Sequence, residues 1–225
     1  MKRGIVLALM VACGPSVDGG GGERPPTATL IREGAHPVIE REGDLDGDGE
    51  LELVVASASG ERSGFGLPTP YVEVFAEGDD GWGRVFDATG TVPAGAPPGS
   101  RPVLERAGPG EVSGQAVEAL ELLDFAGDGS AEVVLAVINA GASAGPLDLW
   151  ILSLRGGEVR AELATSTQRG GRVDVGEREV ELEFGVYRRR DPGCCPSRIE
   201  RQTIGWDEQA GRIGVLSRER RRSGG

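Results

Sequence analysis

Apolar and polar positions in this chain alternate in short runs, and no segment holds a convincing helical period. Leu51-Glu52-Leu53 leads into Val54-Val55, a β-branched run of strand length. Tyr71 to Phe75 and Arg84 to Phe86 flank Gly78-Asp79-Asp80-Gly81, which reads as a hairpin. Leu147 to Leu154 and Glu158 to Leu163 flank Gly156-Gly157, a tighter hairpin turn. Val180, Leu182, Phe184 and Val186 alternate with Glu179, Glu181 and Glu183, the pattern of a strand with one wet face. Ile199 to Trp206 and Arg212 to Leu216 flank a last turn near Gly211. Val117 to Leu123 (VEALELL) fits either period. Residues 91–114, rich in Pro and Gly, read as a linker or long loop.

An internal repeat organises these strands. GDLDGDGELELVVA at 43–56 matches LDFAGDGSAEVVLA at 123–136, an offset of 80 residues. Each copy is followed by a loop, a strand, a tight turn and another strand. The expected fold class is therefore all-β: two repeated antiparallel β-meander units with Asp-rich loops, at 36–90 and 115–217, the second carrying a C-terminal β extension over 172–217 that has no counterpart in the first half. Residues 218–225 read as a basic disordered tail, and Arg188-Arg189-Arg190 as a solvated basic loop.

Composition agrees with a loop-rich β protein: 38 Gly and 14 Pro in 225 residues, with 38% hydrophobic residues arguing against wholesale disorder. Thirty-six acidic against 24 basic residues, a net charge of −12, exclude nucleic acid as a partner, because phosphate binding needs a basic footprint. A single histidine, His36, leaves no material for a zinc site built on several His ligands.

At the N-terminus, Lys2 and Arg3 precede an apolar run from Gly4 to Ala12, too short for the roughly 20 residues of a spanning helix. Residues 1–12 read as a signal peptide. Met10-Val11-Ala12-Cys13 resembles the lipobox of bacterial lipoproteins, with Met10 where Leu is usual. That resemblance implies that Cys13 becomes the lipidated mature N-terminus and that the chain is anchored to the membrane, with Gly14 implying the outer membrane. The other reading is an ordinary signal peptide followed by an incidental cysteine. Residues 13–35 then comprise the lipidated Cys and a flexible tether.

Asp44, Asp46, Asp48, Glu50 and Glu52 stand at loop positions 1, 3, 5, 7 and 9, Glu50 offering its carbonyl and the others carboxylates. Calcium takes about six to eight oxygen ligands, and Gly47 and Gly49 permit the backbone to wrap an ion. The loop resembles the calcium loop of FG-GAP and VCBS-type repeats in integrin-like β-propellers, over about a dozen residues per copy. That resemblance implies one calcium ion and a blade-like unit. The Phe-Gly-Gly-Ala-Pro element is absent, and a propeller needs at least about four four-stranded blades. The unit is thus propeller-blade-like without a complete propeller. The alternative is an acidic turn whose Asp residues cap their own backbone. Asp124, Asp128, Ser130 and Glu132 form a weaker second candidate, because Ala126 replaces the acid at position 3.

Asp191-Pro192-Gly193-Cys194-Cys195-Pro196-Ser197 is the other distinctive element. Within one chain in an oxidising compartment, Cys194 and Cys195 have only each other as disulfide partners once Cys13 is lipidated. A vicinal disulfide in a tight turn is expected, with a thiol redox sensor and a metal site as alternatives. With Val186, Tyr187 and Trp206, this motif resembles the LppP/LprE-type bacterial lipoproteins, a resemblance that implies no activity. The combined expectation is a lipid-anchored, calcium-stabilised, non-catalytic envelope module that binds a protein or an envelope polymer. An envelope hydrolase using paired carboxylates is the alternative.

Overall fold

A computed structural model describes residues 24–62, 67–105, 114–139 and 145–223. The proposed signal peptide and Cys13 lie outside the described residues. The strands are β1 (Ala35–Gly43), β2 (Glu52–Arg62), β3 (Pro68–Gly78), β4 (Gly81–Asp87), β5 (Gln115–Leu123), β6 (Glu132–Asn139), β7 (Leu147–Arg155), β8 (Glu158–Ser166), β9 (Arg172–Val175), β10 (Glu179–Val186), β11 (Arg198–Asp207) and β12 (Arg212–Arg222). They form three four-stranded sheets, each pairing its strands in chain order, and every neighbouring pair is antiparallel. The fold is all-β and blade-like, and none of the sheets closes into a barrel. The C-terminal extension is a complete third meander. Its strands do not repeat the sequence of the first two, so self-similarity alone did not reveal it.

Alternation along the second strand of each sheet decides how the sheets stack. In β2, Val54 and Ala56 face the second sheet, where Leu120, Val133, Leu135 and Val137 meet them in one buried cluster. In β6, the opposite face carries Val134 and Ala136, which join Leu149 and Ile151 against Val180, Leu182, Ile204 and Ile213 of the third sheet. The middle sheet is therefore apolar on both faces, which explains the unbroken run Val133 to Val137.

An open row of sheets must cover its two outer faces, as terminal units of repeat proteins do. The third sheet does so with charge. Glu181 and Glu183 on β10 bridge Arg201, and Arg221 also reaches Glu183. The first sheet does so with chain. A short helix, α1 (Thr27–Leu30), and the turn after it bring Ile31 onto Leu53, Val55 and Phe75. Thr27 Oγ1 donates to Glu40, and Arg32 pairs with Asp87 while its guanidinium stacks 4.8 Å from the Tyr71 ring centre. The end of the expected tether, residues 26–35, is therefore docked structure, because Leu30, Ile31 and Ala35 pack, with Trp82, on the outer apolar face.

The Pro/Gly-rich stretch is also not a free linker over its described part. Val103 and Leu104 are fully buried between the first two sheets, and Leu104 N–H donates to Ala88 O at 3.1 Å. Residues 106–113 lie outside the described residues. The stretch expected as a disordered tail is corrected as well: Arg218 to Arg222 form the second half of β12, paired with β11 as far as Arg198 opposite Arg222. β12 leaves its turn at Arg212, and the basic run inherits its order from pairing with β11 rather than from its own composition.

Candidate metal centre and the neighbouring loops

The first acidic loop connects β1 to β2 in the first sheet. Asp44 anchors it: Oδ1 accepts from Gly47 N–H at 2.6 Å and Oδ2 from Gly49 N–H at 2.9 Å. Asp46 accepts from Asp48 N–H at 3.2 Å, and Asp48 accepts from Glu50 N–H at 2.8 Å. Gly47 and Gly49 have φ of 82° and 90°, the left-handed region that glycine tolerates. The wrapped backbone brings one carboxylate oxygen from each of Asp44, Asp46 and Asp48 within 4.8 Å of the others. None of the three has a salt-bridge partner among the described residues. Three hard oxygen donors with uncompensated charge are a donor set that could hold a metal ion.

Glu52 does not join that convergence of carboxylates. Glu50 is exposed. Glu52 is buried at 4% exposure and turns inward, where its Oε2 accepts from Leu45 N–H at 2.7 Å. Burial raises its pKa, and the three Asp carboxylates raise it further. It is a brace under the loop, correcting its assignment as a direct ligand: the strand that begins at Glu52 directs this side chain into the protein.

The second loop copies the backbone of the first. Asp124 accepts from Gly127, Asp128 and Gly129 N–H, and Asp128 accepts from Ser130 N–H and Oγ. Glu132, buried like Glu52, accepts from Phe125 N–H at 3.3 Å. Burial pushes its carboxyl up to about 7, with Asp128 and Asp124 adding to the shift. No convergence of three acids occurs here among the described residues. Instead a cation from the third sheet approaches: Arg178 Nη2 donates to Phe125 O at 3.0 Å, and its guanidinium lies so close to Gly127 that a Cβ there would meet it at 2.6 Å. The Ser130 hydrogen bonds to Asp128 hold its carboxyl below the usual range, helped by Arg155. Loss of the acid at Ala126 thus coincides with arginines around the loop.

The loops also join the sheets. Ala131 N–H donates to Asp44 O at 2.7 Å, and Arg41 makes a bidentate pair with Glu121 through Nε and Nη2 at 2.8 and 2.7 Å. Leu45 and Phe125, equivalent in the repeat, are both buried in the packing between a sheet and the next.

Cys194 and Cys195 are exposed free thiols, which corrects the expected vicinal disulfide. Asp191 closes this turn instead, accepting from Arg188 N–H and Ser197 N–H, both at 2.8 Å. The neighbouring Cys194 thiol raises the pKa of Cys195, opposite to the thiolate that redox chemistry needs.

A groove of about 500 Å³ between the second and third sheets is lined by Glu121, Asp174 and Glu177. Arg41 engages Glu121 and lowers its pKa, and Arg172 Nη2 engages Asp174 at 2.8 Å. The acid raised to about 7, Glu132, is buried away from this groove. A general acid for glycoside cleavage needs a raised pKa beside the substrate.

No protein-family model matches the chain, and neither does any curated protein. Among solved structures, the crystal structure of rhamnogalacturonan lyase YesW is similar to it with a TM-score of 0.41 and 14% identity, covering 83% of this chain. The chain spans 34% of that structure's length. Among the described residues, no helix is long and apolar enough to cross a membrane.

Proposed function

We propose that the chain is a lipid-anchored protein of the bacterial cell envelope, held through Cys13 at the outer membrane, and that it is a non-catalytic β module which binds a protein or an envelope polymer. In this reading one calcium ion on Asp44, Asp46 and Asp48 stabilises the module. The carrying observation is the convergence of those three carboxylates, none of which has a salt-bridge partner among the described residues. Calcium, rather than a softer metal, suits a donor set of oxygens alone. The ion would tie the β1–β2 loop together at the point where Asp44 O accepts from Ala131 of the next sheet. Its role is therefore to stiffen a junction between sheets.

The test is thermal unfolding of the full-length chain carrying Cys13→Ser, in chelator and in millimolar calcium. At free calcium about tenfold above the dissociation constant, binding adds about 1.4 kcal/mol. For a domain of about 150–250 residues that raises the melting temperature by roughly 3–6 °C. Asp48→Ala should remove most of the rise and Asp128→Ala should leave it nearly intact. Identical wild-type melting curves with and without calcium would show that both loops are self-capped acidic turns.

A further inference from the structure

Charge is distributed unevenly between the two ends of the molecule. Ala131 N–H donates to Asp44 O, and Arg178 Nη2 donates to Phe125 O, so the β1–β2, β5–β6 and β9–β10 connections lie at one end. That end holds Asp44, Asp46, Asp48, Asp124, Asp128 and Glu177. β10 runs away from it, and its far residue, Val186, pairs with Arg198, which pairs in turn with Arg222. The opposite end of the third sheet is basic. Residues 187–201 and 217–223 hold nine Arg against three acids, in a chain of net charge −12.

Three of the nine are neutralised: Arg220 by Glu200, and Arg201 and Arg221 by acids of β10. The other six, Arg188, Arg189, Arg190, Arg198, Arg218 and Arg222, are exposed and have no salt-bridge partner among the described residues. Asp191, in their midst, accepts from the backbone of Arg188 and Ser197. Like charges directly opposite destabilise a sheet, yet Arg198 faces Arg222. Charge on an edge strand guards it against pairing with another chain, and β12 is an edge. That accounts for Arg218 and Arg222 alone, because Arg198 belongs to the inner strand β11 and Arg188 to Arg190 to the connection before it.

We propose that this end of the third sheet binds an acidic polysaccharide, a linear polymer with one carboxylate per sugar ring. Guanidinium groups take carboxylates through forked, charge-assisted hydrogen bonds. Arg218 and Arg222 stand four residues apart, about 13 Å along the strand. A polymer charged once per ring meets that spacing, whereas contiguous phosphates would place charge between them, where Glu200 already holds Arg220. Among the described residues, Leu216 is the only exposed large hydrophobic of the third sheet, too little for the apolar centre of a protein interface. Nucleic-acid bases stack on aromatic rings, and Tyr187 at this end already carries Arg169 over its ring, 5.3 Å from the centre. Arg24 pairs with Glu42 beside the first acidic loop, so the chain toward Cys13 starts from the acidic end and a bilayer holding Cys13 lies on that side. The proposal rests on the binding-module reading and not on calcium.

The full-length Cys13→Ser chain is titrated into end-labelled polygalacturonate and followed by fluorescence anisotropy, in chelator so that calcium does not cross-link the polymer. Binding should be seen at about 50 mM salt and weaken at least about tenfold by about 200 mM. Arg198→Gln with Arg222→Gln should weaken it about tenfold. Arg189→Gln with Arg190→Gln should do the same and carries the test alone if the strand variant does not fold. Arg212→Gln, at the start of β12 and so at the acidic end, should leave binding unchanged. The proposal is overturned if no binding occurs at about 50 mM salt, if neither pair of substitutions changes it, or if Arg212→Gln weakens it as much. It is also overturned if polyphosphate, poly-L-glutamate or phosphatidylglycerol vesicles displace the labelled polymer at a lower concentration of charge than unlabelled polygalacturonate does. The calcium melting shift, measured separately, shows whether the reading beneath it stands.

Discussion

Glu132→Gln should make the protein more stable at neutral pH and leave it unchanged at about pH 4, below the unfolded-state range of the carboxyl. The wild-type carboxyl is 3% exposed beneath the second loop, among Asp124, Asp128 and Glu162. Burial, with those charges, raises it from 4.5 to about 7. A carboxyl raised on folding binds its proton more tightly in the native chain. Its favourable contribution is therefore complete below about pH 4.5 and lost as pH rises through about 7. At about 1.36 kcal/mol per unit, the full shift corresponds to roughly 3 kcal/mol, and screening and relaxation reduce this to about 2 kcal/mol. Gln keeps a side-chain oxygen for Phe125 N–H and carries no charge to bury. Urea unfolding of both proteins at about pH 4, 5, 6, 7 and 8, in chelator, isolates the difference. The variant should match wild type only at about pH 4, already gain a few tenths of a kcal/mol at pH 5, and gain about 2 kcal/mol by pH 8. A pH-independent difference, or a variant less stable than wild type at pH 8, would refute a buried, proton-holding brace.

Arg41→Ala should cost only about 0.5–1 kcal/mol despite its bidentate geometry, because both partners are more than a third exposed; the same urea series measures it, and Arg41→Glu with Glu121→Arg should recover part of the loss. The pair should matter less as pH falls through the lowered range of Glu121, since protonation removes its charge. Cys194 and Cys195 should both label with a thiol reagent without prior reduction, and a mass two protons below the reduced form would contradict their free state.

Much of this protein is written in local pattern. Alternation at Val180, Leu182 and Phe184 against Glu179, Glu181 and Glu183 specified β10 and its wet face, because a strand's period of two is independent of what it packs against. The turns at Gly78–Gly81, Gly156-Gly157 and Gly211 were equally legible, since left-handed backbone at Gly81, Gly156, Gly157 and Gly211 favours glycine. Asp44, Asp46 and Asp48 lie close together in sequence, so a wrapped loop suffices to gather them. VEALELL was undecided because its apolar spacing suits both periods, and pairing of β5 with β6 resolved it. Long-range placement was not legible. The inward turn of Glu52 and Glu132, Arg178 at the second loop, and the covering of Leu53 and Phe75 by Ile31 each depend on which face the stacked sheets leave open. Local periodicity determines elements and turns because its causes span a few residues. Which carboxylate is buried, which cation meets it and which cavity remains are set by packing between segments about 50 to 100 residues apart, where no short-range pattern records the partner.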